Sequence, residues 1–326
     1  MTSAVTHRRL GRTDLEISPI GIGTMQMANR GMVTAAYPSI TADASAAVVR
    51  AAIDGGVNWF DTAEMYGRGE SERALTTALR TAGANPGDVL VATKWAPMLR
   101  TAASIGNTID TRLAALQGYP IDLYQIHHPY GGFSSIPAQV RAMAQLAKDS
   151  RIRSIGVSNF SAAQMEQASA VLATYGLTLA SNQVKINALH RNIETNGVLA
   201  AANRLGVTLI AYTPLESGIL TGRFHDDPQA VESLTRVRRI AGGFAKKVTQ
   251  ATPLVDELRA VAKAHDVSLS QVALSWLVTY YDDTVVAIPG ASKPHQATQA
   301  AAAMSVQLSA TERAGIADAS RRSGAL

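Results

Sequence analysis

Residues 152–180, IRSIGVSNFSAAQMEQASAVLATYGLTLA, contain the pattern that decides the fold. Ile152–Val157 and Leu177–Ala180 are short runs of strand length, and between them Ser161–Tyr175 has the length of an amphipathic helix. Strands without a regular polar alternation are typical of a parallel sheet whose two faces are both covered. This stretch therefore predicts a strand–helix–strand unit in which the two strands run parallel.

The same unit repeats along the chain. Runs of strand length occur at Pro19–Gly23, Trp59–Phe60, Val89–Thr93, Ile121–Ile126, Ile152–Val157, Leu177–Ala180, Thr208–Ala211 and Thr284–Ile288. Helix-length segments between them include Asp43–Asp54, Ser71–Thr81, Ile136–Lys148, Ser161–Tyr175 and Thr195–Leu205. Eight units at a mean spacing of about 30 residues, with no Pro/Ser-rich linker, predict an α/β fold, a (β/α)8 TIM barrel that forms a single domain over residues 1–326.

Two additions to the barrel are predicted. Arg8–Leu10 and Leu15–Ile17 flank the turn-rich residues Gly11–Asp14, which indicates an N-terminal β-hairpin that plugs the bottom of the barrel. Extra helices are expected before and after the last strand. The connection before it is expected to hold a long loop and two helices, at Phe224–Gln250, Thr252–His265 and Ser270–Tyr280.

The competing fold is a doubly wound parallel sheet with a glycine-rich turn for a dinucleotide. That fold requires Gly-x-Gly-x-x-Gly after its first strand, whereas residues 21–26 read GIGTMQ and lack the third glycine. The chain also lacks Gly-x-Ser-x-Gly, His-Glu-x-x-His, a Walker glycine loop and a Tyr-x-x-x-Lys pair. The usual signatures of four other chemistries are therefore missing.

The composition is that of a water-soluble globular protein, because 47% of the 326 residues are hydrophobic and no apolar run reaches the roughly 18 residues that span a bilayer. The N-terminal stretch lacks an apolar signal core, so we expect a cytoplasmic protein without membrane contact. The absence of cysteine excludes disulfides and thiolate metal sites, and no metal is expected. The net charge of +5 suits an anionic cofactor better than nucleic acid. Few aromatic residues accompany the densest basic cluster, which is Arg236, Arg238, Arg239, Lys246 and Lys247.

Polar residues follow several predicted strands, at the end where barrel enzymes carry their catalytic groups. Asp61 and Tyr66 follow the second strand, Lys94 ends the third, and His127 follows the fourth. A neighbouring ammonium lowers the pKa of a tyrosine, and a buried lysine needs an anionic partner. We therefore expect Asp61 to support Lys94, and Lys94 to lower the pKa of Tyr66 so that Tyr66 acts as the proton donor.

His127 is expected to orient a substrate carbonyl or to help relay the proton. Taken alone, Asp61 has an ordinary interpretation as a helix cap or loop turn and His127 as a structural residue, and Lys94 alone is a weaker signal than Asp61. His128 is either the exposed neighbour of His127 or the true participant. Only the coincidence of the four residue types at one rim indicates a proton-transfer site.

These residues lie in ordered blocks that resemble the aldo-keto reductase family over nearly the whole chain. The blocks are Asp61-Thr62-Ala63-x-x-Tyr66-Gly67, Gly69-x-Ser71-Glu72, Ala92-Thr93-Lys94, Asp122–His127 with Pro129, Ile155–Phe160, Asn182-Gln183-Val184, Tyr212–Leu215 and Ile288–Ala291. The resemblance implies NADPH-dependent reduction of an aldehyde or ketone. It implies the catalytic tetrad Asp61, Tyr66, Lys94 and His127.

The resemblance also implies a nicotinamide cofactor that lies extended across the rim. Its implied contacts are Gly23, Thr24, Asp61, Ser158, Asn159, Gln183, Tyr212, Thr213, Pro214, Leu215, Gly218, Arg223, Ile288, Gly290, Ser292, Lys293 and Gln296. The carboxamide would be held by Ser158, Asn159 and Gln183, and Tyr212 would stack on the nicotinamide ring. Leu215, Gly218 and Arg223 would face the diphosphate.

The adenosine end departs from the family pattern. Gly290 stands where many members have a basic residue, Gln296 replaces a common arginine, and Gln299-Ala300 replaces a Glu-Asn pair. Ser292 and Lys293 are still able to bind a 2′-phosphate. NADPH is therefore favoured over NADH.

Large apolar side chains are expected to wall the substrate pocket, namely Met25, Met27, Met65, Trp95 and Tyr130. They favour hydrophobic aldehydes, diketones or aromatic ketones as the small-molecule carbonyl substrate. Because the chain ends soon after its last predicted helix, we expect an open site without a long C-terminal lid. A monomer or a weak homo-oligomer is expected.

Two other functions remain compatible with these residues. One is a cofactor-sensing regulatory subunit on the same barrel, as in the potassium-channel β subunits of the resembling family. The other is a non-redox barrel that binds phosphorylated ligands. Steady NADPH consumption with carbonyl compounds would favour the enzyme, whereas a membrane partner with negligible turnover would favour the subunit. A ligand-binding barrel would show no fluorescence change on addition of NADPH.

Overall fold

The fold is taken from a computed structural model, which describes residues 6–29, 40–232, 234–235 and 243–325. Part of the predicted basic cluster, Arg236, Arg238 and Arg239, lies outside these residues. No helix among the described residues is both long and apolar enough to cross a membrane.

Eight parallel strands form the barrel. In chain order the strands of the protein are β1 (Arg8–Arg9), β2 (Glu16–Ile17), β3 (Ile22–Gly23), β4 (Trp59–Asp61), β5 (Leu90–Trp95), β6 (Leu123–Ile126), β7 (Ser154–Ser158), β8 (Leu179–Lys185), β9 (Thr208–Tyr212) and β10 (Val285–Ala287). From β3 to β10 each strand pairs in parallel with the next. Parallel bridges join Ile20 to Ala287 and Gly23 to Gly290, and these bridges nearly close the ring. The predicted (β/α)8 barrel is confirmed.

Helices surround the barrel. They are α1 (Ala42–Asp54), α2 (Glu70–Thr81), α3 (Ala103–Asn107), α4 (Ile109–Ala115), α5 (Ile136–Lys148), α6 (Ala162–Ala173), α7 (Val198–Leu205), α8 (Arg223–Asp226), α9 (Phe244–Gln250), α10 (Thr252–His265), α11 (Leu269–Tyr280), α12 (Pro294–Ala302) and α13 (Ala310–Arg322). Local signals set several of their ends. The Ser161 side chain caps α6 in a capping box with Gln164. Helix α7 begins at Val198 rather than at the predicted Thr195, because Gly197 has the left-handed φ of 82° that interrupts a helix.

The connection before the last strand differs from its predicted form. The prediction of one long loop over residues 224–250 is wrong at both ends, because α8 and α9 are helical there. The rings of Phe224 and Phe244 pack edge to face with their centroids 5.1 Å apart. They join a buried cluster with Ile219 and Val255. Burial of these apolar side chains orders the two ends of the segment.

An N-terminal hairpin covers the floor of the barrel, as predicted. Strands β1 and β2 pair antiparallel, and Leu10, Leu15 and Ile17 pack against residues at the barrel interior, including Trp59 and Ala180. The backbone N–H of Gly11 donates to Thr208 Oγ1 over 2.7 Å. A Cβ at Gly11 would lie 2.4 Å from the Ala180 carbonyl oxygen, so this turn requires glycine. The hairpin leaves the carboxyl ends of the strands as the open mouth.

Candidate active site

Four polar side chains from three neighbouring strand ends meet at the mouth of the barrel. Asp61 is the last residue of β4, Lys94 lies near the end of β5, and His127 directly follows β6. Tyr66 lies on the turn after β4, where its backbone N–H donates to the Ala63 carbonyl. The Lys94 Nζ lies 5.3 Å from the centre of the Tyr66 ring, and the Tyr66 and His127 ring centres are 5.9 Å apart. The structure thus brings the four sequence-predicted residues together.

Lys94 and Asp61 form a buried ion pair. Their side chains are 0% and 2% exposed, and Lys94 Nζ donates to Asp61 Oδ1 and, over 2.8 Å, to the Thr62 carbonyl. Burial alone would lower the pKa of Lys94, but Asp61 and Tyr66 together raise it above its ordinary value. Lys94 is therefore charged at neutral pH beside the Tyr66 ring.

Asp61 is held by two buried amides as well as by Lys94. Its Oδ2 accepts hydrogen bonds from Gln125 Nε2 at 2.9 Å and from Gln183 Nε2 at 3.0 Å. Gln125 was not predicted as a site residue. Its signal in the sequence is a polar residue inside an apolar strand, two positions before His127 and hence on the same face.

The pKa of Tyr66 is raised, which corrects the prediction that it is lowered. Burial raises this pKa most, the Lys94 ammonium lowers it, and Asp61 raises it further. The sequence identified the cation but could not weigh it against loss of solvation. Tyr66 therefore carries its proton at neutral pH, and the Lys94 charge stabilises the tyrosinate that forms when this proton leaves.

His127 is a neutral imidazole. Burial, the Lys94 charge and His128 together lower the pKa of His127 to about 2. Burial and Lys94 also lower the pKa of His128, which is less buried. His127 is the histidine whose ring meets Tyr66, and the His128 ring lies stacked behind it with 4.6 Å between centroids.

The residues expected to hold the nicotinamide lie on the ends of β7, β8 and β9. Asn159 has a left-handed φ of 61°, and its side chain takes part in a chain of hydrogen bonds. The Tyr212 hydroxyl donates to Asn159 Oδ1 at 3.0 Å, and Asn159 Nδ2 donates to Ser158 Oγ at 3.0 Å. Because Gln183 Nε2 donates to Asp61, its carbonyl oxygen is the atom that suits a carboxamide NH₂. This donor and acceptor set, which the Tyr212 hydroxyl joins, fits a nicotinamide.

The loop after β9 carries the residues expected at the diphosphate. Pro214 and Leu215 lead into a 3₁₀ segment, Glu216–Thr221, and Arg223 starts α8. Gly218 has a φ of 95°, and Thr213, a β-branched residue, has a φ of 48°. A β-branched side chain is rarely found at positive φ, and such strain concentrates at functional sites.

A carboxylate braces this loop. The Glu216 side chain accepts from Lys185 Nζ at 2.8 Å and from Asn187 Nδ2 at 2.7 Å, and Lys247 Nζ lies 3.7 Å away. Burial would raise the pKa of Glu216, but Lys185, Asn187 and Lys247 hold it below its ordinary value. Glu216 therefore stays ionised and fixes the loop to β8.

The predicted adenosine contacts adjoin the start of α12. Gln296 Oε1 accepts from the backbone N–H groups of Ser292 at 2.8 Å and of Lys293 at 3.2 Å, so Gln296 caps its own helix. A Cβ at Gly290 would lie 2.6 Å from the side chain of Gln26. A Cβ at Gly23 would lie 3.2 Å from the Ile288 carbonyl oxygen. Thr24, predicted with Gly23 and Asp61 to border the nicotinamide ribose, is buried against Asp61 and Ser71.

The apolar wall of the mouth differs from its predicted composition. Met25 is half-buried, and Met65 and Tyr130 are exposed, but Trp95 and Met27 are buried and do not line the mouth. The Trp95 Nε1 donates to Ser104 Oγ on α3, behind the barrel wall. Among the described residues, the exposed large apolar side chains all lie on the loops after β4, β5 and β6. They are Met65, Met98, Leu99, Tyr130 and Phe133.

The loops after β5 and β6 are joined by backbone hydrogen bonds. The Leu99 N–H donates to the Gly131 carbonyl at 2.7 Å, and the Phe133 N–H donates to the Arg100 carbonyl at 2.9 Å. Arg100 is in turn paired with the buried Glu64. We call the exposed side chains of Met98, Leu99, Tyr130 and Phe133 the apolar rim. Sequence reasoning missed three of its four members, because an exposed apolar residue in a loop has no periodic signal.

Comparison with known proteins agrees with this geometry. The sequence profile of the aldo/keto reductase family matches residues 19–321. The chain belongs to the aldo-keto reductase family. Members of this family are NAD(P)H-dependent oxidoreductases, and so is this aldo-keto reductase.

Its relatives carry several kinds of names. The chain is 36% identical over 313 residues to an uncharacterized oxidoreductase of Mycobacterium tuberculosis (strain ATCC 25618 / H37Rv), covering 94% of this chain and 90% of the relative. It is 31% identical to the 6-dehydroglucose reductase of Novosphingobium aromaticivorans, covering 92% and 90%. It is 28% identical to a potassium channel β subunit, named as putative, of Schizosaccharomyces pombe, covering 91% and 89%.

A solved structure has the same fold. The glycerol dehydrogenase of Gluconobacter oxydans superimposes with a TM-score of 0.78 at 27% identity, covering 100% of this aldo-keto reductase and 98% of that chain. The comparisons therefore agree on the family and its barrel, while the names of the relatives differ: some are oxidoreductases and one is a channel subunit.

Proposed function

We propose that this protein reduces an aldehyde or ketone to an alcohol, with Tyr66 as the general acid and NADPH as the hydride donor. The observation that carries the proposal is the placement of the Lys94 ammonium, paired with Asp61, 5.3 Å from the Tyr66 ring centre, with the His127 ring against the same tyrosine. An acid, the cation that stabilises its conjugate base and a neutral hydrogen-bonding group are the parts that carbonyl protonation requires.

The roles of the side chains follow from their charges. When bound, a reduced nicotinamide supplies a hydride to the carbonyl carbon. Neutral His127 donates a hydrogen bond to the carbonyl oxygen and orients it. Tyr66 gives its hydroxyl proton to that oxygen as the C–O bond becomes single, and Lys94 stabilises the tyrosinate that forms. Asp61 keeps Lys94 in place and charged.

The cofactor proposal is supported by residues at two places in the fold. Asn159, Gln183 and Tyr212 fit a nicotinamide, and Lys293 is an exposed cation at the start of α12 that suits a 2′-phosphate. NADPH is therefore proposed over NADH. We further propose that residues 1–326 act as one domain, in the cytoplasm, as a monomer or weak homo-oligomer.

The apolar rim supports a substrate class. Exposed apolar side chains are costly in water unless a ligand covers them. Tyr130 of this rim stacks on His128, which stacks on His127 beside the proposed acid. We propose that the carbonyl compound carries an aromatic or alkyl substituent that lies on Leu99 and Phe133.

A substitution of the acid tests the function. Tyr66→Phe removes only the hydroxyl, so carbonyl reduction should fall by at least about 100-fold while cofactor affinity changes less than about 2-fold. NADPH and NADH consumption with a panel of aldehydes and ketones gives the rate, and nicotinamide fluorescence gives the affinity. Tyr175→Phe, on an outer helix turn, is the matched control. A Tyr66→Phe enzyme that kept most of its rate would refute the assignment.

The regulatory subunit remains a second candidate, favoured by the similarity to the potassium channel β subunit. The tetrad is intact in this chain, which leaves the chemistry available to either role. Cofactor binding without turnover on any carbonyl in the panel, together with co-purification of a membrane protein, would favour this candidate.

A further inference from the structure

The ring of His127 is oriented by other rings rather than by a hydrogen bond to its Nδ1. Within the part of the chain that the structure describes, this buried nitrogen has no hydrogen-bond partner. A histidine that orients a substrate commonly has its second nitrogen tied to a backbone carbonyl or a carboxylate, which fixes the plane of the ring. Another contact must therefore fix the plane of the His127 ring.

Three rings form a continuous stack that starts at His127. His127 and His128 lie 4.6 Å apart at an interplanar angle of 17°, and His128 and Tyr130 lie 5.1 Å apart at 21°. The front edge of His127 meets Tyr66 at 83°. Separations of this size are those at which aromatic rings attract.

The backbone explains how neighbouring residues can stack. Successive side chains of a strand point to opposite faces, so His127 and His128 could not lie face to face within β6. The strand ends at Ile126, and Pro129 restricts the backbone of His128 to extended conformations. The chain leaves the pleat at this point, and the outer ring of the stack, Tyr130, is 62% exposed at the apolar rim.

We propose that His128 and Tyr130 are positioning residues: their stacked rings fix the plane of the His127 imidazole relative to the Tyr66 hydroxyl. The inference rests on the proposed function, in which His127 orients the carbonyl. This inference assigns His127 rather than His128 to the substrate, because the ring face of His128 supports His127 and the His128 nitrogens take no part.

Paired substitutions separate the ring face from the nitrogen atoms. His128→Ala removes the stack and should lower kcat about 10-fold, with cofactor affinity changed less than about 2-fold. His128→Phe keeps an aromatic face without nitrogen and should restore kcat to within about 3-fold of the original enzyme. Tyr130→Ala and Tyr130→Phe should repeat the pattern more weakly. Because Tyr130 is exposed, neither change should unfold the protein.

A spectroscopic measurement tests the stack without catalysis. The ring protons of His127 in NMR spectra of ¹⁵N-histidine-labelled protein should shift in His128→Ala and return in His128→Phe, because the ring current of the neighbour is lost and regained. His295→Ala, at an exposed site on α12, is the control. Absence of carbonyl turnover in the original protein would refute the proposed function, and this measurement would still test the stack.

Two results would overturn the inference. Unchanged His127 resonances in His128→Ala would show that the ring is held by something else. Equal loss of kcat in His128→Ala and His128→Phe would make a nitrogen of His128 the functional group, and His128 rather than His127 would then be the participant.

Discussion

At Tyr66, burial and charge act in opposite directions on one hydroxyl. Burial raises the pKa of Tyr66 and the Lys94 ammonium lowers it, with burial the larger influence. The raised pKa keeps the proton on the acid before reaction. The ammonium acts when the proton leaves, since it then faces an anion instead of a neutral phenol. Burial therefore acts before the proton transfer, and the Lys94 charge acts during it.

Removal of the Lys94 charge should change both the rate and the pH profile. In Lys94→Met the pKa of Tyr66 rises further, because the one neighbour that lowers it most is lost. Reduction should fall at least about 100-fold, and its alkaline limb should move to higher pH. Steady-state rates between pH 6 and 11, the range about the reference tyrosine pKa of roughly 10, measure this.

The Lys94 prediction needs a check of folding. Methionine leaves Asp61 buried without its cation, so thermal unfolding of the variant is measured in parallel. Lys263→Met, at an exposed position on α10, should leave rate and profile unchanged. A limb that moved to lower pH in the folded Lys94→Met protein would contradict the proposed role of the charge.

The direction of a single side chain can be predicted where the position of its residue in a strand fixes it. Lys94 and Trp95 are neighbours in β5, and the pleat sends their side chains to opposite faces, Lys94 into the barrel and Trp95 toward α3. The prediction that Trp95 lines the pocket overlooked this alternation. The net direction of the Tyr66 pKa could not be predicted, because it depends on burial in three dimensions.

At the scale of elements, the loops after β5 and β6 behave as one piece. Two backbone hydrogen bonds join them. The Glu64 carboxylate also accepts a hydrogen bond from the Arg100 guanidinium and so fixes that side chain. Glu64 also accepts the Ala96 N–H at 2.6 Å. These contacts restrain the loops that carry the apolar rim, which reduces the conformational entropy lost when a ligand binds.

Substitution of the apolar rim should change substrate preference without loss of the chemistry. Leu99→Ser and Phe133→Ser should each lower kcat/KM for an aldehyde with a long alkyl or aryl group by about 10-fold, because each loses an apolar contact. For a two- or three-carbon aldehyde the change should stay within about 2-fold. Leu99→Met is the conservative control. Equal losses on long and short substrates would exclude a substituent-binding role.

Element order could be predicted from periodicity, and some element ends could not. Helix α10 was predicted with the bounds that it has, because Pro253 marks its first turn. The helices α8 and α9 were predicted as loop, since Phe224 and Phe244 are separated by many residues and pack together only in the folded chain. Their pairing has no local pattern.

At the scale of the whole molecule, one arginine ties the C-terminal helix to the barrel. Arg191 is 0% exposed, and its guanidinium donates to the Ala317 carbonyl at 2.9 Å and to Ser320 Oγ at 3.2 Å on α13. It also pairs with Glu194 and lies 5.5 Å from the centre of the Trp276 ring.

Loss of this arginine should destabilise the fold. Arg191→Met removes the ion pair with Glu194 and the hydrogen bonds to Ala317 and Ser320, so the free energy of unfolding should fall by about 3 kcal/mol or more. Urea denaturation followed by circular dichroism measures it. Arg321→Met removes an exposed pair on the same helix and should cost less than about 1 kcal/mol. Similar stabilities of the two variants would mean that Arg191 does not anchor α13.

The closed barrel was predictable and this anchor was not. Eight strand–helix units at a steady spacing allow few arrangements other than a ring. Arg191 and Ala317 are 126 residues apart in the sequence, and no local pattern near either residue predicts their contact. Periodicity therefore predicts the architecture, whereas long-range polar contacts emerge only from packing.

The hairpin on the barrel floor has a practical consequence for immobilisation. Its turn residue Asp14 is exposed and lies at the end opposite to the mouth, and the chain contains no cysteine. A cysteine placed there would be the unique thiol of the protein, so a bead or electrode could be coupled at that point alone. Every attached molecule would then face its mouth toward the solution.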